Sequence, residues 1–504
     1  MEKLTRREFL TTGAAATAGS LATGGTASPP LPSADVRPPN ILLIMSDQHT
    51  RRALGAAGNP VAHTPNLDAL ARSGVRFDNA YCTFPVCVSS RASLITGLYT
   101  HHHRAYNNSR PLNFNTKTLG HHLGRAGYMS AAIGKMHFVD AQTHGFDYRL
   151  DFNDWYQYLG PKTKLRAEEI IDPNSGSGLP QIDDLWRESG DPWTGTIARD
   201  DRLGYTSVGR ISALAEEDHF ESFVARESMR FLRDHGKQQP FFLVSSFLKP
   251  HDPFTPAERF AKMFRDIDMK LPETWGKVDL ANVPEWVRRR IEYDWACPEL
   301  RFPEVARRHI ALYYANLAQT DDCIGKLLGT LTELGLDGNT IVLYTSDHGE
   351  MLGEHGLWQK MVLYEPSVGV PLLFRAPGVT PAGARCATPV SLVQVVATLL
   401  ELCGVPNPSG LDGESIVRLL RDPGTEITSS VFAEINLRTR QPSAMIRQGR
   451  YKYCYSVDDL DELFDLQDDP AEMKNLAVVP AFRQKRDELK QQLFAWHRPD
   501  SEIA

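Results

Sequence analysis

The sequence predicts an α/β protein with a large, mostly parallel β-sheet flanked by helices, followed by a small C-terminal α+β domain with an antiparallel sheet. Short apolar runs that do not alternate, such as NILLIM at 40–45, are typical of strands buried on both faces. Helical patterns separate these runs, and several runs end in polar residues. Such sheets bind ligands beyond the carboxyl ends of their strands, so these polar residues are the first candidates for a site.

The first predicted strand, 40–45, leads to Asp47. HTPNLDALARSG (63–74) then predicts a helix, with Thr64 able to cap it and a proline at its first position. VRFDNAY (75–81) alternates like a strand.

Three later apolar runs repeat this plan: YMSAAIG (128–134), PFFLVSSF (240–247) and NTIVLYTS (339–346). Lys135, His251 and the pair Asp347-His348 follow them. A long amphipathic helix is predicted over 308–335, where apolar residues recur at three- and four-residue steps. Two segments, 151–220 and 266–300, break the pattern and are predicted to be insertions over the mouth of a site.

The ends of the chain differ from this central region. SVFAEI, SAMIRQGRYKYCYSV and ELFDL predict antiparallel strands before a closing helix at 481–497, so we divide the chain into a catalytic α/β domain (38–424) and an α+β subdomain (425–504).

Residues 1–27 carry Arg6-Arg7, a weakly apolar Ala/Gly stretch and a small-residue cleavage site, which predict a twin-arginine signal peptide. The predicted location is therefore periplasmic or secreted, with the twin-arginine export machinery as a partner.

Composition excludes several classes of protein. The 504 residues are 42% hydrophobic and 23% charged, an ordinary globular composition. A net charge of -7 provides no broad basic field for nucleic acid, and no apolar run reaches the roughly 18 residues of a membrane span. The expected partner is a small molecule, with no nucleic acid and no membrane span after cleavage.

Seven cysteines, an odd number without C-x-x-C spacing, argue against a disulfide scaffold in an oxidising compartment and favour a chemically special cysteine. Cys87 stands at a predicted helix start with Ser89, Ser90 and Arg91 behind it. A helix N-terminus and an arginine attract anions and lower the pKa of a thiol. From this pattern alone, a cysteine is more often a buried core residue than a reactive one.

Asp47, Asp347 and His348 end two separate strands, which predicts three ligands converging on a divalent cation. Either aspartate alone is more often a turn or helix cap. Lys135, His137, His251 and Lys360 add cationic or proton-transferring groups, although a lone lysine or histidine is more often on the surface or in the core. Together these clusters describe a pocket for a sulfate or phosphate oxyanion.

CVSSRASLITG (87–97) resembles the sulfatase signature C-x-P/A-x-R with its following T-G. GKMHF (134–138), PHDPF (250–254) and SDHGEMLGEHGLWQK (346–360) resemble three further sulfatase motifs in the family's order. The resemblance covers most of 38–420, and ELFDLQDDPAEMKNLA (462–477) is similar to the family's C-terminal end. It identifies the chain as similar to sulfatases of the alkaline phosphatase superfamily and implies an alkaline phosphatase-like fold.

The resemblance implies that a formylglycine-generating enzyme oxidises Cys87 to formylglycine before export. One hydroxyl of its hydrated aldehyde would attack sulfur while the metal, Arg91 and Lys135 hold the sulfate oxygens. His251 and Lys360 would face the leaving alcohol, and His137 would help deprotonate the second hydroxyl. By the same carry-over, the metal ligands are Asp47, modified Cys87, Asp347 and His348.

Gln48 and His348 stand where many sulfatases have Asp and Asn, a pattern similar to the choline sulfatase and phosphonate monoester hydrolase branch. Asn108 also matches that branch, and we expect Gln48 and Asn108 to bind substrate. The metal is expected to be Ca²⁺, with Mn²⁺ as the alternative. Ser89 departs from the family's Pro or Ala, so the alternative of another class is an inactive oxyanion-binding protein with an unmodified Cys87.

The predicted substrate is a sulfate ester, either a sulfated sugar or glycan or choline sulfate. A phosphate diester or phosphonate ester on the same scaffold is the alternative, and Lys135 and His137 favour sulfate. Choline would require an aromatic box, for which Trp155, Trp186 and Trp193 are candidates, although tryptophan in such a segment is as often a packing residue. The run His101 to His103 is interpreted as a polar rim, because consecutive histidines on one element cannot all face one ion.

Overall fold

The computed structural model describes residues 37–139, 142–160, 209, 211–212, 214–292 and 298–503. The predicted signal peptide, 1–27, and most of the predicted insertion at 151–220 lie outside the described residues. No helix in the described ranges is both long and apolar enough to cross a membrane.

In these ranges the strands are β1 (Asn40–Asp47), β2 (Val75–Tyr81), β3 (Met129–Gly134), β4 (Tyr148–Leu150), β5 (Phe241–Pro250), β6 (Thr340–Ser346), β7 (Gly369–Arg375), β8 (Ala384–Cys386), β9 (Val390–Ser391), β10 (Ser430–Ile435), β11 (Ser443–Gln448), β12 (Tyr451–Ser456) and β13 (Glu462–Asp465). The α-helices are α1 (Pro65–Arg72), α2 (Cys87–Thr96), α3 (Thr100–His103), α4 (Leu119–Arg125), α5 (Phe152–Leu159), α6 (Phe220–His235), α7 (Glu258–Phe264), α8 (Glu285–Glu292), α9 (Pro303–Glu333), α10 (Glu365–Val368), α11 (Val395–Leu402), α12 (Val417–Arg421) and α13 (Arg483–Trp496).

The large sheet of the described region has the order β4-β3-β5-β1-β6-β7-β2-β8, with β9 paired to β2. Pairs along β4-β3-β5-β1-β6 and between β2 and β8 or β9 are parallel, and β7 runs antiparallel to both of its neighbours. The predicted α/β class with a mostly parallel sheet is confirmed.

Both faces of this sheet are covered, as the apolar runs predict. In β1, Ile41 and Leu43 pack into the core on one face, and Leu42 and Ile44 pack into the core on the other. Helices α2, α4, α11 and α12 contribute to the first core, and α1, α6 and α9 to the second. The non-alternating pattern of NILLIM therefore reflects burial of every side chain in the strand.

The second sheet, β10-β11-β12-β13, is antiparallel, as predicted for the C-terminal region. Gly449, with φ of 58°, makes the turn between β11 and β12. One face of this sheet shares a core with the large sheet, through residues such as Ala433 and Met445, and the other packs under α13. The division at 424/425 stays a prediction, since residues 38–504 form one compact unit.

The helix predicted at 63–74 is α1, and Thr64 occupies its N-cap position. Its hydroxyl donates to Asp68 at 3.1 Å and accepts from the Gly55 amide at 3.0 Å, so it serves the neighbouring loop rather than the helix amides. The cysteines within the described residues are free, and Cys297 lies outside them.

Candidate active site

Four neighbouring strands of the large sheet, β3-β5-β1-β6, end in the predicted polar residues. Lys135 follows β3, His251 follows β5, Asp47 ends β1, and Asp347 with His348 follows β6. Parallel strands have their carboxyl ends at one edge, so the topology brings these side chains together. All five are buried in the structure.

Arg91, on α2, holds the two carboxylates. Its Nε lies 2.7 Å from Asp347 Oδ2, and its Nη2 lies 2.8 Å from Asp47 Oδ2. The remaining nitrogen donates to Ser246 Oγ at 2.9 Å and to the backbone carbonyl of Lys135. Arg91 therefore orients the predicted metal ligands, and its predicted contact with sulfate oxygens stays a prediction.

The pKa values of the Asp47 and Asp347 carboxylates are shifted in opposite directions. Burial opposes ionisation of Asp47, yet Lys135 and His251 hold its pKa well below the usual range, and Lys135 Nζ lies 2.7 Å from its Oδ2. Burial raises the pKa of Asp347 despite the neighbouring Arg91. Buried charges of this kind persist only when paired and hydrogen-bonded, as both aspartates are here.

Cys87 begins α2, where the helix start aims its side chain at this cluster. Its Sγ lies 3.2 Å from His348 Nε2 and 3.9 Å from both Lys135 Nζ and Asp47 Oδ1. Burial and Asp47 oppose ionisation of the thiol, but Lys135 and Lys360 bring its pKa well below the ordinary value. The sequence predicted a lowered thiol pKa from Arg91 and the helix end, and in the structure the predicted pocket residues Lys135 and Lys360 lower it.

The predicted metal ligands converge. One atom each of Asp47, Cys87, Asp347 and His348 lies within 4.8 Å of the others, and all four side chains are buried. His348 Nδ1 donates to the Gly349 carbonyl at 3.0 Å, which turns Nε2 toward Asp47 and Cys87. Two carboxylates and one imidazole form a donor set that fits a divalent cation.

Lys360 contacts His251 and Gln48 in the same pocket. Its Nζ lies 2.8 Å from His251 Nε2 and 2.5 Å from Gln48 Oε1. His251 Nδ1 lies 2.6 Å from the Asp252 carbonyl, so it is the protonated nitrogen and Nε2 accepts from the lysine. Burial opposes the charge on Lys360, but Cys87 and Asp252 raise its pKa. The pair thus places an ammonium against an imidazole.

Gln48 is buried, with φ of 68°. Its Nε2 donates to Glu350 Oε2 at 2.5 Å and to Asp252 Oδ1 at 3.2 Å, while Oε1 faces Lys360. These partners give Gln48 a positioning role, and its predicted contact with substrate is untested. Sequence reasoning missed Glu350, which stands inside the SDHGE motif two residues after the predicted ligand His348.

Asn108 and His137 stand at the margin of the cluster. Asn108 Oδ1 accepts from the backbone amide of Val88 at 3.2 Å, next to Cys87. His137 follows Lys135 by two residues, half-buried and with φ of 57°. Their predicted roles toward substrate stay predictions.

The polar-rim interpretation of His101 to His103 is wrong for two of its members. His101 is buried against Glu434 at 2.9 Å, and His103 is buried with Nε2 3.0 Å from Ser93 Oγ; only His102 of the three is exposed. The tertiary fold decides this, because β10 places Glu434 over α3. His101 also stacks on His497 with ring centroids 3.9 Å apart and planes 3° apart, so their lone pairs lie side by side rather than converging on an ion.

Of the three tryptophans named as candidates for a choline box, Trp155 lies within the described residues. Trp155 is buried in the core beside Phe220, and its Nε1 donates to the Asp218 carbonyl at 2.8 Å. It is a packing residue, whereas Trp186 and Trp193 lie outside the described residues. The second predicted insertion does approach the site, since Arg290 of α8 donates to the Lys360 carbonyl at 3.0 Å.

Comparison with known proteins agrees with this geometry. The sulfatase family model matches residues 39–405, and the model of the N-sulphoglucosamine sulphohydrolase C-terminal region matches 353–498. The choline-sulfatase of Rhizobium meliloti is 33% identical over 456 residues, covering 88% of this chain and 83% of that protein. The arylsulfatase of Clostridium perfringens is 30% identical over 461 residues, covering 90% and 93%. The crystal structure of the phosphonate monoester hydrolase of Agrobacterium radiobacter aligns with a TM-score of 0.77 and 25% identity, covering 91% and 95%.

Proposed function

The chain belongs to the sulfatase family, and from that premise we propose that it is an exported enzyme that hydrolyses a sulfate ester through a formylglycine made from Cys87. Its class, a sulfuric ester hydrolase, follows from the family and its named relatives. Sulfatases generally use a metal ion and a formylglycine. The environment of Cys87, with two cations, a histidine and two carboxylates around one thiol, carries the proposal.

Formylglycine at 87 would supply a hydrated aldehyde with two hydroxyls. One hydroxyl would attack sulfur, and deprotonation of the other would expel sulfate from residue 87. A metal held by Asp47, residue 87, Asp347 and His348 would polarise a sulfate oxygen. Calcium suits the two carboxylates, with manganese as the alternative. Arg91 keeps both carboxylates in place. Lys135, 3.9 Å from the sulfur of Cys87, supplies positive charge where the sulfate oxygens would lie.

The leaving alcohol would meet Lys360 and His251. Two N–H groups of Lys360 bond Gln48 and His251, which leaves the third to donate to the ester oxygen. Hydrolysis consumes one water and releases the alcohol and sulfate. A bridging oxygen that gains a proton as the S–O bond breaks is a far better leaving group than an alkoxide.

Export and maturation complete the proposal. Residues 1–27 would direct the folded chain through the twin-arginine machinery to the periplasm or outside the cell, after a formylglycine-generating enzyme has acted on Cys87. Both steps rest on the sequence alone.

Intact-peptide mass spectrometry tests maturation. The tryptic peptide 77–91 from a host that contains the modifying enzyme is expected to weigh about 18 mass units less than the cysteine form. Hydrolysis of an aryl sulfate by the same preparation is expected to fall at least about 10³-fold in Cys87→Ala. An unshifted peptide together with retained oxyanion binding would instead support the non-catalytic binding protein.

A phosphate diester or phosphonate ester is the second candidate substrate, supported by the structural similarity to the phosphonate monoester hydrolase. Sulfate and phosphate esters share tetrahedral shape and differ in charge, so one pocket can accept both. Parallel assays of an aryl sulfate and an aryl phosphodiester with one preparation separate them. A higher kcat/KM for the diester would reverse the ranking.

A further inference from the structure

A cavity of about 980 Å³ is lined by the end of α3 and the segment that follows it. Its wall includes Asn107, Ser109 and Arg110, which flank Asn108. Asn108 accepts a hydrogen bond from the amide of Val88, the residue after Cys87. The same short loop therefore forms both the cavity wall and a contact with the start of the helix that carries the predicted nucleophile.

The described residues of the cavity lining are rich in donors and include no carboxylate, although Asp412 bonds Nδ1 of the lining residue His102 at 2.8 Å. Arg104 and Arg110 are exposed, and neither guanidinium pairs with an acid within the described ranges. Asn107 and Asn113 use their side-chain oxygens internally, accepting from the amides of Ser109 at 3.0 Å and Asn115 at 2.9 Å. Both side chains also carry NH₂ donors, and a lining of donors with positive charge favours an anion.

Arg110 lies over an aromatic ring. Its guanidinium lies 5.5 Å from the ring centroid of Tyr106, and Arg438 lies 5.7 Å from the same centroid. Tyr106 is buried, so its ring is a fixed platform that both guanidinium groups approach. Fixing the side chain before binding reduces the entropy lost when a ligand is bound.

We propose that this cavity is a subsite for a second anionic group, a sulfate or carboxylate, on the sugar that carries the scissile ester. The inference rests on the proposed function and narrows its substrate to an anionic saccharide. It disfavours choline sulfate, because a quaternary ammonium would approach the cationic Arg104 and Arg110, which have no acid partner in the described ranges.

The test compares 4-nitrophenyl sulfate with a disulfated disaccharide in the full chain and in Arg104→Gln/Arg110→Gln. We expect KM for the disaccharide to rise about tenfold in the variant, and the kinetics on 4-nitrophenyl sulfate to stay within about twofold. Arg233→Gln/Lys262→Gln, which removes the same charge from exposed positions on α6 and α7, is the matched control and should leave both substrates unchanged.

Equal KM changes for the two substrates in the Arg104/Arg110 variant, or tighter binding of choline sulfate than of the disaccharide, would overturn the subsite. Titration calorimetry with the disaccharide and Cys87→Ala keeps the test independent of turnover. If neither ester is hydrolysed, the proposed function fails, while loss of disaccharide binding in the Arg104/Arg110 variant would still support the subsite and retained binding would refute it.

Discussion

Lys360 Nζ and His251 Nε2 are 2.8 Å apart, although they come from loops that follow different strands. Their contact joins an ammonium and an imidazole in one buried hydrogen bond at the edge of the sheet. Burial opposes the charge on Lys360, but Cys87 and Asp252 raise its pKa, so the ammonium is available to a leaving oxygen.

Replacing Lys360 by Ala is expected to slow hydrolysis most for esters of poorly acidic alcohols, since those depend on proton donation. We expect kcat to fall by about 10²–10⁴-fold for an alkyl sulfate and by less for 4-nitrophenyl sulfate. The dependence of rate on leaving-group pKa, measured over a series of esters, should steepen. An equal loss for all esters would mean that Lys360 acts on sulfate rather than on the leaving group.

Glu350→Gln is expected to lower activity by disturbing Gln48 and Lys360. One Glu350 oxygen accepts from the amides of Leu352 and Gln359 at 3.0 and 2.6 Å, and the other accepts from Gln48. A glutamine at this position must direct its NH₂ group either at the two backbone amides or at the NH₂ group of Gln48, and all of these are donors. A buried polar group without a hydrogen-bond partner lowers the free energy of unfolding by about 1–3 kcal/mol.

The measurement for Glu350→Gln is kcat and KM on an aryl sulfate, together with the melting temperature. Glu354→Gln, whose carboxylate bonds the half-exposed Arg52 and Thr274, is the matched control and should keep near-normal kcat. Normal kcat in Glu350→Gln with only a lowered melting temperature would limit Glu350 to a structural role.

Ser89→Pro is expected to fold and to keep or raise the fraction of Cys87 converted to formylglycine. Ser89 is the third residue of α2, and the first intrahelical amide bond is that of Ser90 to the Val86 carbonyl at 3.0 Å. A proline at 89 therefore removes no helix bond. The lost bond from Ser89 Oγ to the Ala105 carbonyl, 2.6 Å long, should cost about 1 kcal/mol.

Mass spectrometry of peptide 77–91 measures this conversion, and Ser93→Ala, which removes a hydroxyl one turn later, is the control. A lower converted fraction in Ser89→Pro than in the natural chain would show that the serine itself suits the modifying enzyme.

Glu462 predicts a pH dependence of stability. Burial raises its pKa to about 8, and Tyr364, at the N-cap of α10, donates to it at 2.8 Å. The unfolded chain releases this proton near the ordinary pKa of about 4.3, so the folded state binds the extra proton between these values and loses stability as pH rises. The slope approaches about 1.4 kcal/mol per pH unit within that window.

Glu462→Gln should flatten this dependence, so that its melting temperature falls less than that of the natural chain between pH 5 and pH 8. Asp468→Asn, an exposed carboxylate, is the control and should keep the natural slope. Parallel curves for Glu462→Gln and the natural chain would refute the assignment.

Much of this molecule could be predicted from the sequence. Asp47, Lys135, His251 and Asp347 each follow an apolar run, and parallel strands place their carboxyl ends at one edge, so a local pattern was enough to predict a shared site. The burial of every side chain in β1 is predicted in the same way, by its run of consecutive apolar residues. Local patterns of this kind need no knowledge of long-range contacts.

The tertiary structure alone decided which groups meet. Arg91 pairs with two aspartates, Glu350 orients Gln48, and His101 is buried under Glu434, contacts that span from 44 to 333 positions along the chain. Periodicity and capping report a residue's own element and the face it presents. Hydrogen-bond partners depend instead on strand order, register and loop paths, which arise only when the whole chain packs.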